Sequence, residues 1–527
     1  MMKHNEAGPG LSRVPAALLL VLAFLFSVGA YARLGSHYPD ADLASEMVLA
    51  DLLNREGRLM TDSWYYSSEL RIVSPVPLYQ LGLTLFHSWH AARVFAVAVM
   101  LAVTIACFLY AAKPCGLCAG GLYTAAVLAL PFTRVYAEFS VFGCYYSVFL
   151  GIIFLLLGML MRMGKEKGRI RRFLLMAFLS LWGGLAGVRL LMTFVLPLGL
   201  ALVWETLSAL RGHRTLREGC STLPIPMLAA AALSFALLLA GWMINTRVLS
   251  QLYTFDSYGT THVAEPDAEI LTYQFTEAIE FFGFREASSL ISLRGLLALF
   301  SIALAGFAFV SPARALREEK GFFTAPRVLE LYALFAALCG IAVNLSTQNF
   351  GCQYYLPGLL AMIAVLDRRI ARSRLPKAAM QLLCLAFAGV FALNAAVYVR
   401  EDLPHGATNQ EQAAAWLKDA GLERGYATFW NGANLSQATD GALEVWVLEE
   451  PTYSEEWKRL KLNEYLQEKR HLAEAPEGEV FVYLSPEEAL EAPGWADAGH
   501  LACAADWGSV YRYESAIELK ELVDTAP

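Results

Sequence analysis

The sequence predicts a polytopic α-helical membrane protein of about 11 transmembrane helices, followed by a C-terminal extracytoplasmic α/β domain. Three observations predict it. The 527 residues are 57% hydrophobic and 17% charged, too apolar for one soluble domain and for a disordered chain. Apolar runs long enough to cross a hydrocarbon layer of about 30 Å recur as far as residue 399. Charge then divides: residues 1–399 carry 31 Lys+Arg against 23 Asp+Glu, and residues 400–527 carry 10 against 25. So acidic a block argues against nucleic acid or anionic lipid as its partner, and reads as a water-exposed domain on a membrane body.

The membrane body, 1–399, is predicted to span at 14–31, 92–112, 116–132, 145–161, 173–188, 190–210, 223–244, 293–310, 328–345, 354–366 and 378–399. Its Lys/Arg clusters, Arg162 to Arg172, Arg211 to Arg217, Arg314 to Arg327 and Arg368 to Lys377, fall on one side when these spans alternate, together with Lys3, Arg13 and Lys113. By the positive-inside rule the amino terminus is cytoplasmic and the carboxyl terminus outside, in a multi-pass plasma-membrane protein. Ala30-Tyr31-Ala32 resembles a signal-peptidase site, but with ten more spans behind it the first span is read as a retained anchor. The outer side then receives the loops 33–91 and 245–292 and the tail 400–527. Loops of that length are usually functional or disordered, and 33–91 is too rich in aromatic and periodic apolar residues for disorder.

The tail carries capping-box spacing at Thr408 and Glu411 ahead of a helix Gln412–Ala420. Strands are predicted at Tyr426–Trp430, Leu443–Leu448, Val480–Leu484 and Ser509–Tyr513, with a charged helix near 455–470. Cysteines are scattered. Cys115 and Cys118 form the only close pair, with no second pair or neighbouring His to complete a zinc site.

The stretch Tyr38 to Gly57 is the most informative. Leu43, Met47, Ala50 and Leu53 recur at helical spacing and Gly57 is a good stop, which predicts an amphipathic helix on the outer membrane surface. Asp40 and Asp42 open that helix, and Asp42 shares a face with Glu46. One carboxylate suffices as an N-cap. A pair at the membrane surface also suits a general base or a metal site. Trp64, Tyr65 and Tyr66 read as interfacial belt aromatics, with sugar stacking as the alternative; His87 and His90 read as ordinary polar residues where a span begins. Arg71 either pairs with Glu69 or holds a phosphate. Arg189 interrupts the apolar stretch Leu181 to Val203, either snorkelling or functional. Arg134 and Glu138 occupy the short second outer loop.

All these groups sit on the outer side, while the middles of the spans hold almost no ionisable residue. An ion-coupled transporter would place charges or broken helices near mid-membrane in repeated halves, and no repeat is visible. A receptor needs one anchor only. An enzyme acting at the outer surface on a lipid-linked substrate accounts for spans, first loop and polar groups together. The runner-up is a polysaccharide polymerase or a lipid-linked glycan flippase of the cell envelope.

A first span followed by a long outer loop that opens with acidic residues resembles the GT-C class of integral-membrane glycosyltransferases, which includes protein mannosyltransferases, aminoarabinose lipid A transferases and oligosaccharyltransferases. More narrowly, Asp40 to Arg71 with Trp89-His90-Ala91-Ala92-Arg93 is similar to uncharacterised bacterial multispanning proteins of this type. Gly187-Val188-Arg189, Tyr354-Tyr355-Leu356-Pro357, Gly425 to Asn431 and Asp440-Gly441 add to the likeness. The resemblance implies a GT-C-like fold and a polyprenyl-phosphate-sugar donor reached from the outer leaflet, with a glycan, lipid or protein acceptor. It implies an acidic first-loop base and inversion at the anomeric carbon; Asp40 is the match and Asp42 the second choice. Arg71, Arg134 and Arg189 become candidates for the donor phosphate, and Glu138 for the second acidic position. Two departures stand out: Gln353 occupies a position that is often basic, and Glu138 stands alone where oligosaccharyltransferases carry an acid pair. A divalent metal therefore stays open, and no nucleotide-binding Gly-rich loop is expected.

Overall fold

A computed structural model describes residues 12–525 apart from 39, 68–69, 71, 118–119, 212–215, 256–271, 273–275, 277–279, 281–282, 285–288, 318–320, 348–351, 372, 374 and 453. Most of the predicted loop 245–292 lies outside the described residues. The chain divides into two compact units. The first comprises Met1–Gly29, Val97–Arg247 and Thr260–Asp402; the second comprises Ala30–Ala96, Val248–Gly259 and Leu403–Pro527.

The first unit is helical. Every predicted span contains a helix, but their lengths differ widely. Six described helices are long and apolar enough to cross a membrane: Arg13–His37, Trp89–Cys115, Leu191–Arg211, Ile225–Gln251, Ala325–Leu345 and Lys377–Glu401. The pair Arg134–Phe142 and Ser147–Leu160, bent by 79°, makes a seventh if it counts as one span. The others are shorter or more charged: Gly120–Leu128, Arg169–Gly184 with its basic first turn, Leu293–Ala315, whose apolar part is Leu293–Leu304, and Leu356–Ala371 with Arg368 and Arg369 in its last turn. Leu18, Val21, Leu22 and Leu25 stand exposed along the first helix, as side chains facing hydrocarbon do.

Small residues set a close helix crossing. A Cβ on Gly184 would collide with the Leu238 carbonyl oxygen, and one on Gly241 with that of Leu181, so Arg169–Gly184 and Ile225–Arg247 meet backbone to backbone. Polar pairs tie other helices. Arg327 Nε donates to Glu205 at 2.5 Å, and Arg294 donates to both Asp402 oxygens at 2.8 and 3.1 Å.

In the second unit the C-terminal segment forms a five-stranded sheet. Two short strands precede it in the chain, β1 (Tyr65–Tyr66) and β2 (Thr254–Phe255), which pair in parallel. The sheet itself contains β3 (Arg424–Thr428), β4 (Glu444–Leu448), β5 (Val480–Leu484), β6 (Leu501–Ala505) and β7 (Gly508–Tyr513), in the order β4-β3-β5-β7-β6. The first three are parallel, and β7 pairs antiparallel with both β5 and β6. Central β5 is buried at every position, which explains its unbroken apolar run Val480 to Leu484. The Thr408/Glu411 capping box is formed in full and starts the helix Asn409–Asp419.

Several expectations are corrected here. The strand predicted over Tyr426–Trp430 ends at Thr428, because Phe429 already opens the helix Phe429–Ala438. The charged helix near 455–470 is a 3-10 turn, Glu455–Arg459, with a short helix at Arg470–Ala473. β6 was not anticipated, since its small residues Leu501-Ala-Cys-Ala-Ala505 carry no strand signature. The first-loop helix, Ala41–Glu56, has ten of its sixteen residues buried. It packs against Val76–Phe86 and Phe429–Ala438, so its apolar side chains are covered by protein. Trp64 and Tyr66 are buried in the same core, with the Tyr66 hydroxyl donating to the Thr61 carbonyl, and do not form an interfacial belt.

Gly441 shows how closely this core is fitted. Its φ is +82°, and a Cβ there would lie 2.7 Å from the Trp89 ring. Gly441→Ala is expected to destabilise the protein by about 1–3 kcal/mol, from left-handed backbone strain and displacement of the indole. Denaturant titration in detergent checks this, and an unchanged midpoint would contradict it.

Candidate functional site

Asp40 is the N-cap of the helix Ala41–Glu56. Its backbone is extended and its carboxylate accepts the Leu43 N–H at 3.0 Å, while Asp42 lies in the first turn. The capping role therefore holds, but it is incomplete as an account. Burial pushes the Asp40 carboxyl up to about 6; the Asp42 charge adds to this, and the Leu43 hydrogen bond and the Arg93 charge oppose it. A cap exposed to water would sit near the ordinary value. A carboxylate that is poorly solvated, beside a second acid and near one guanidinium, is poised to exchange a proton near neutrality.

Arg93 enters the sequence reading only as the end of the Trp89-His90-Ala91-Ala92-Arg93 motif, with no role assigned. It is the only charge between His90 and Lys113, and that isolation in an apolar run was the available signal. Its side chain is buried; Nη1 donates to Gln437 Oε1 at 2.6 Å, and the guanidinium lies 5.9 Å from the Tyr31 ring centroid. The helix Phe429–Ala438 thus reaches Arg93 directly.

A cavity of about 140 Å³ opens beside Arg93, with Tyr38, His90, Gln410, Asn434 and Asp440 in its wall. Its rim is fastened by polar contacts. His37 Nδ1 lies 2.7 Å from Glu411, the Trp89 N–H donates to Asp440 at 2.7 Å, and His90 Nε2 donates to the Ala32 carbonyl at 2.9 Å. The motifs Trp89 to Arg93 and Asp440-Gly441, far apart in sequence, converge on this cavity.

The first unit holds three of the other candidates. Arg134 follows the N-cap Thr133 and pairs with Glu280 at 3.2 Å. Glu138 lies in the π-helical stretch Ala137–Phe142 that bends away from Ser147–Leu160. Arg189 has its guanidinium 5.4 Å from the Tyr146 ring centroid and 5.6 Å from that of Phe149, and Tyr354 meets Tyr146 edge-on. The cation thus lies against two aromatic rings. Asp40 and Asp42 come together in the second unit; Arg134, Glu138 and Arg189 belong to the first; Arg71 lies outside the described residues. Among the described residues no group of three or more His, Cys, Asp or Glu side chains has the geometry to hold a metal ion.

Comparison with solved structures identifies the architecture. ArnT from Cupriavidus metallidurans bound to undecaprenyl phosphate superposes with a TM-score of 0.58 over 95% of this chain and 97% of its own, at 12% identity. Its apo state gives 0.57 at 14% identity, with the same coverage. The fold is that of the GT-C glycosyltransferases. The archaeal oligosaccharyltransferase AglB from Archaeoglobus fulgidus, in complex with an inhibitory peptide and a dolichol-phosphate, matches with a TM-score of 0.51 at 12% identity, over 95% of this chain and 74% of its own. No family model and no curated protein sequence matches the chain. The likeness in fold thus extends over 95% of the chain at 12–14% identity.

Proposed function

We propose that this protein is a membrane glycosyltransferase that moves a sugar from a polyprenyl-phosphate-linked donor to a glycan, lipid or protein acceptor at the outer face of a plasma membrane, with the amino terminus cytoplasmic. One observation carries the reading: Asp40, at the start of the first-loop helix of a GT-C fold, is a partly desolvated carboxylate next to Asp42 and within the field of buried Arg93. The undecaprenyl phosphate held by ArnT and the dolichol-phosphate held by AglB support a lipid-phosphate donor.

In the proposed reaction Asp40 takes the proton of the acceptor hydroxyl as its oxygen attacks the anomeric carbon. The bond from that carbon to the phosphate oxygen breaks, the configuration inverts, and polyprenyl phosphate leaves with the electron pair. Because the leaving group is already a phosphate, cations are needed to hold its charge. Arg134 and Arg189 take that role, with Arg71 as a further candidate, and Glu138 supplies the second acidic position.

The test compares lipid-linked sugars and envelope glycans by mass spectrometry in cells lacking the protein and in cells complemented with the wild type. A sugar-sized mass must disappear from the acceptor pool and return on complementation, while the lipid-linked donor accumulates in its absence. If instead an intact lipid-linked glycan accumulates with no change in its composition, a flippase or polymerase is favoured.

Arg189→Ala is expected to raise the apparent Michaelis constant for donor by about tenfold, the loss of one charge-assisted contact, with a smaller effect on turnover. Initial rates against donor concentration check this. An unchanged Michaelis constant with reduced turnover would assign Arg189 elsewhere.

A further inference from the structure

A second cavity in the same unit, of about 270 Å³, takes no part in the proposed chemistry. It lies among the helix Ala41–Glu56, the helix Phe429–Ala438 and the segment Leu466–His471. Trp64 and Trp89 form part of its wall, and both are buried.

Its guanidinium groups are all paired with carboxylates. Arg55 donates to Asp51 at 3.1 Å and to Glu468 at 2.7 Å, and Arg470 donates to Glu468 at 2.6 Å and pairs with Glu444. Three carboxylates thus face two guanidiniums, so a phosphate or uronate entering here would meet no uncommitted cation. His471 joins the same network through Nε2, 3.2 Å from Glu444.

Two residues that line this cavity each carry a buried polar atom without a hydrogen-bond partner among the described residues: Trp64 Nε1 and His471 Nδ1, on side chains that are 1% and 5% exposed. The indole N–H can only donate. In the tautomer whose Nε2–H donates to Glu444, Nδ1 of His471 is an acceptor. A donor and an acceptor left over beside two indole rings call for a ligand whose groups both accept and donate and whose skeleton has an apolar face. Hydroxyl groups on a saturated ring meet both demands.

We infer that this cavity is a binding subsite for an uncharged sugar unit of the acceptor, and only the word acceptor rests on the transfer proposed above. Binding itself is independent of Asp40. Saturation-transfer NMR on the full chain in detergent micelles tests it, with diacetylchitobiose, mannobiose and lactose as probes and glucose 6-phosphate as the anionic control. A parallel arm uses the phytanyl glycosides of the same disaccharides.

At least one neutral disaccharide should receive saturation, and glucose 6-phosphate should not. Trp64→Phe and His471→Phe should each weaken that binding about fivefold, the loss of one hydrogen bond. Val48→Trp, which fills the cavity from a partly exposed wall position, should abolish binding even if either of the other variants fails to fold. The inference is overturned if no neutral disaccharide binds, if only the phytanyl forms do, or if binding survives Val48→Trp. Asp40→Asn separates the two readings. Sugar binding with undiminished transfer in Asp40→Asn would sink the catalytic reading and leave the subsite; loss of transfer with no sugar binding in any form would do the reverse.

Discussion

Asp40→Asn is expected to lower transfer at least about a hundredfold, the usual contribution of a positioned general base, with the fold intact. Asparagine caps a helix about as well as aspartate, so the Leu43 N–H keeps its acceptor. The sign of the stability effect follows from the raised pKa. Burial favours the protonated carboxyl in the folded state, so whatever stability Asp40 contributes is fully present below its unfolded value and is lost as pH rises through about 6. An uncharged amide escapes that loss, and the variant should be at least as stable as the wild type at pH 7.5. A dead enzyme with an unchanged or raised melting temperature is therefore the predicted pair of results. Wild-type kcat/KM should rise with pH through about 6 and level off above it, as the base ionises. Arg93→Gln removes a charge that favours the carboxylate, and should move that limb to higher pH. Full activity in Asp40→Asn at matched protein levels would reduce Asp40 to a cap and bring the polymerase or flippase reading forward.

The architecture was largely legible because its signals are periodic. Spans announce themselves by length, and Val480 to Leu484 announces a fully buried strand by an unbroken apolar run. The start and stop of the helix Ala41–Glu56 were legible from Asp40 and Gly57, since capping is local chemistry. What covers that helix was not. Trp64 and Tyr66 look like membrane-belt aromatics until Phe429, Val447 and Leu466, nearly four hundred residues later in the chain, are seen to close over them. The candidate site divides in the same way. Asp40 and Asp42 stand out by spacing, whereas Arg93 acquires meaning only through Gln437 and Tyr31, partners that no local pattern names. Residues whose role depends on a distant partner are invisible to periodicity, and here they include the His37–Glu411 and Trp89–Asp440 contacts that fasten the cavity beside Arg93.

Breaking the Glu205–Arg327 pair is expected to give the largest loss of stability in the membrane body. Glu205 is fully buried and Arg327 nearly so, and the two stand 2.5 Å apart on the helices Leu196–Arg211 and Ala325–Thr347. Arg327 also stacks on Phe322, and the Phe323 N–H donates to the same Glu205 carboxylate. Arg327→Ala leaves that carboxylate buried with one backbone donor in place of a guanidinium, which should destabilise by about 3–5 kcal/mol. Glu205→Gln with Arg327→Met removes both charges and keeps the volume, and should recover most of that loss, because desolvating the two ions offsets much of their mutual attraction. A double-mutant cycle by denaturant titration in detergent separates these contributions. If Arg327→Ala falls within about 1 kcal/mol of the wild type, the pair behaves as an exposed one does and water reaches it. If the neutral pair is instead as unstable as Arg327→Ala, the charges themselves hold the two helices in register, and an ion pair in a bundle of apolar faces is a device for specifying which helices meet. Apolar packing alone leaves such neighbours poorly distinguished, because lipid and leucine are nearly equivalent partners for a hydrocarbon surface.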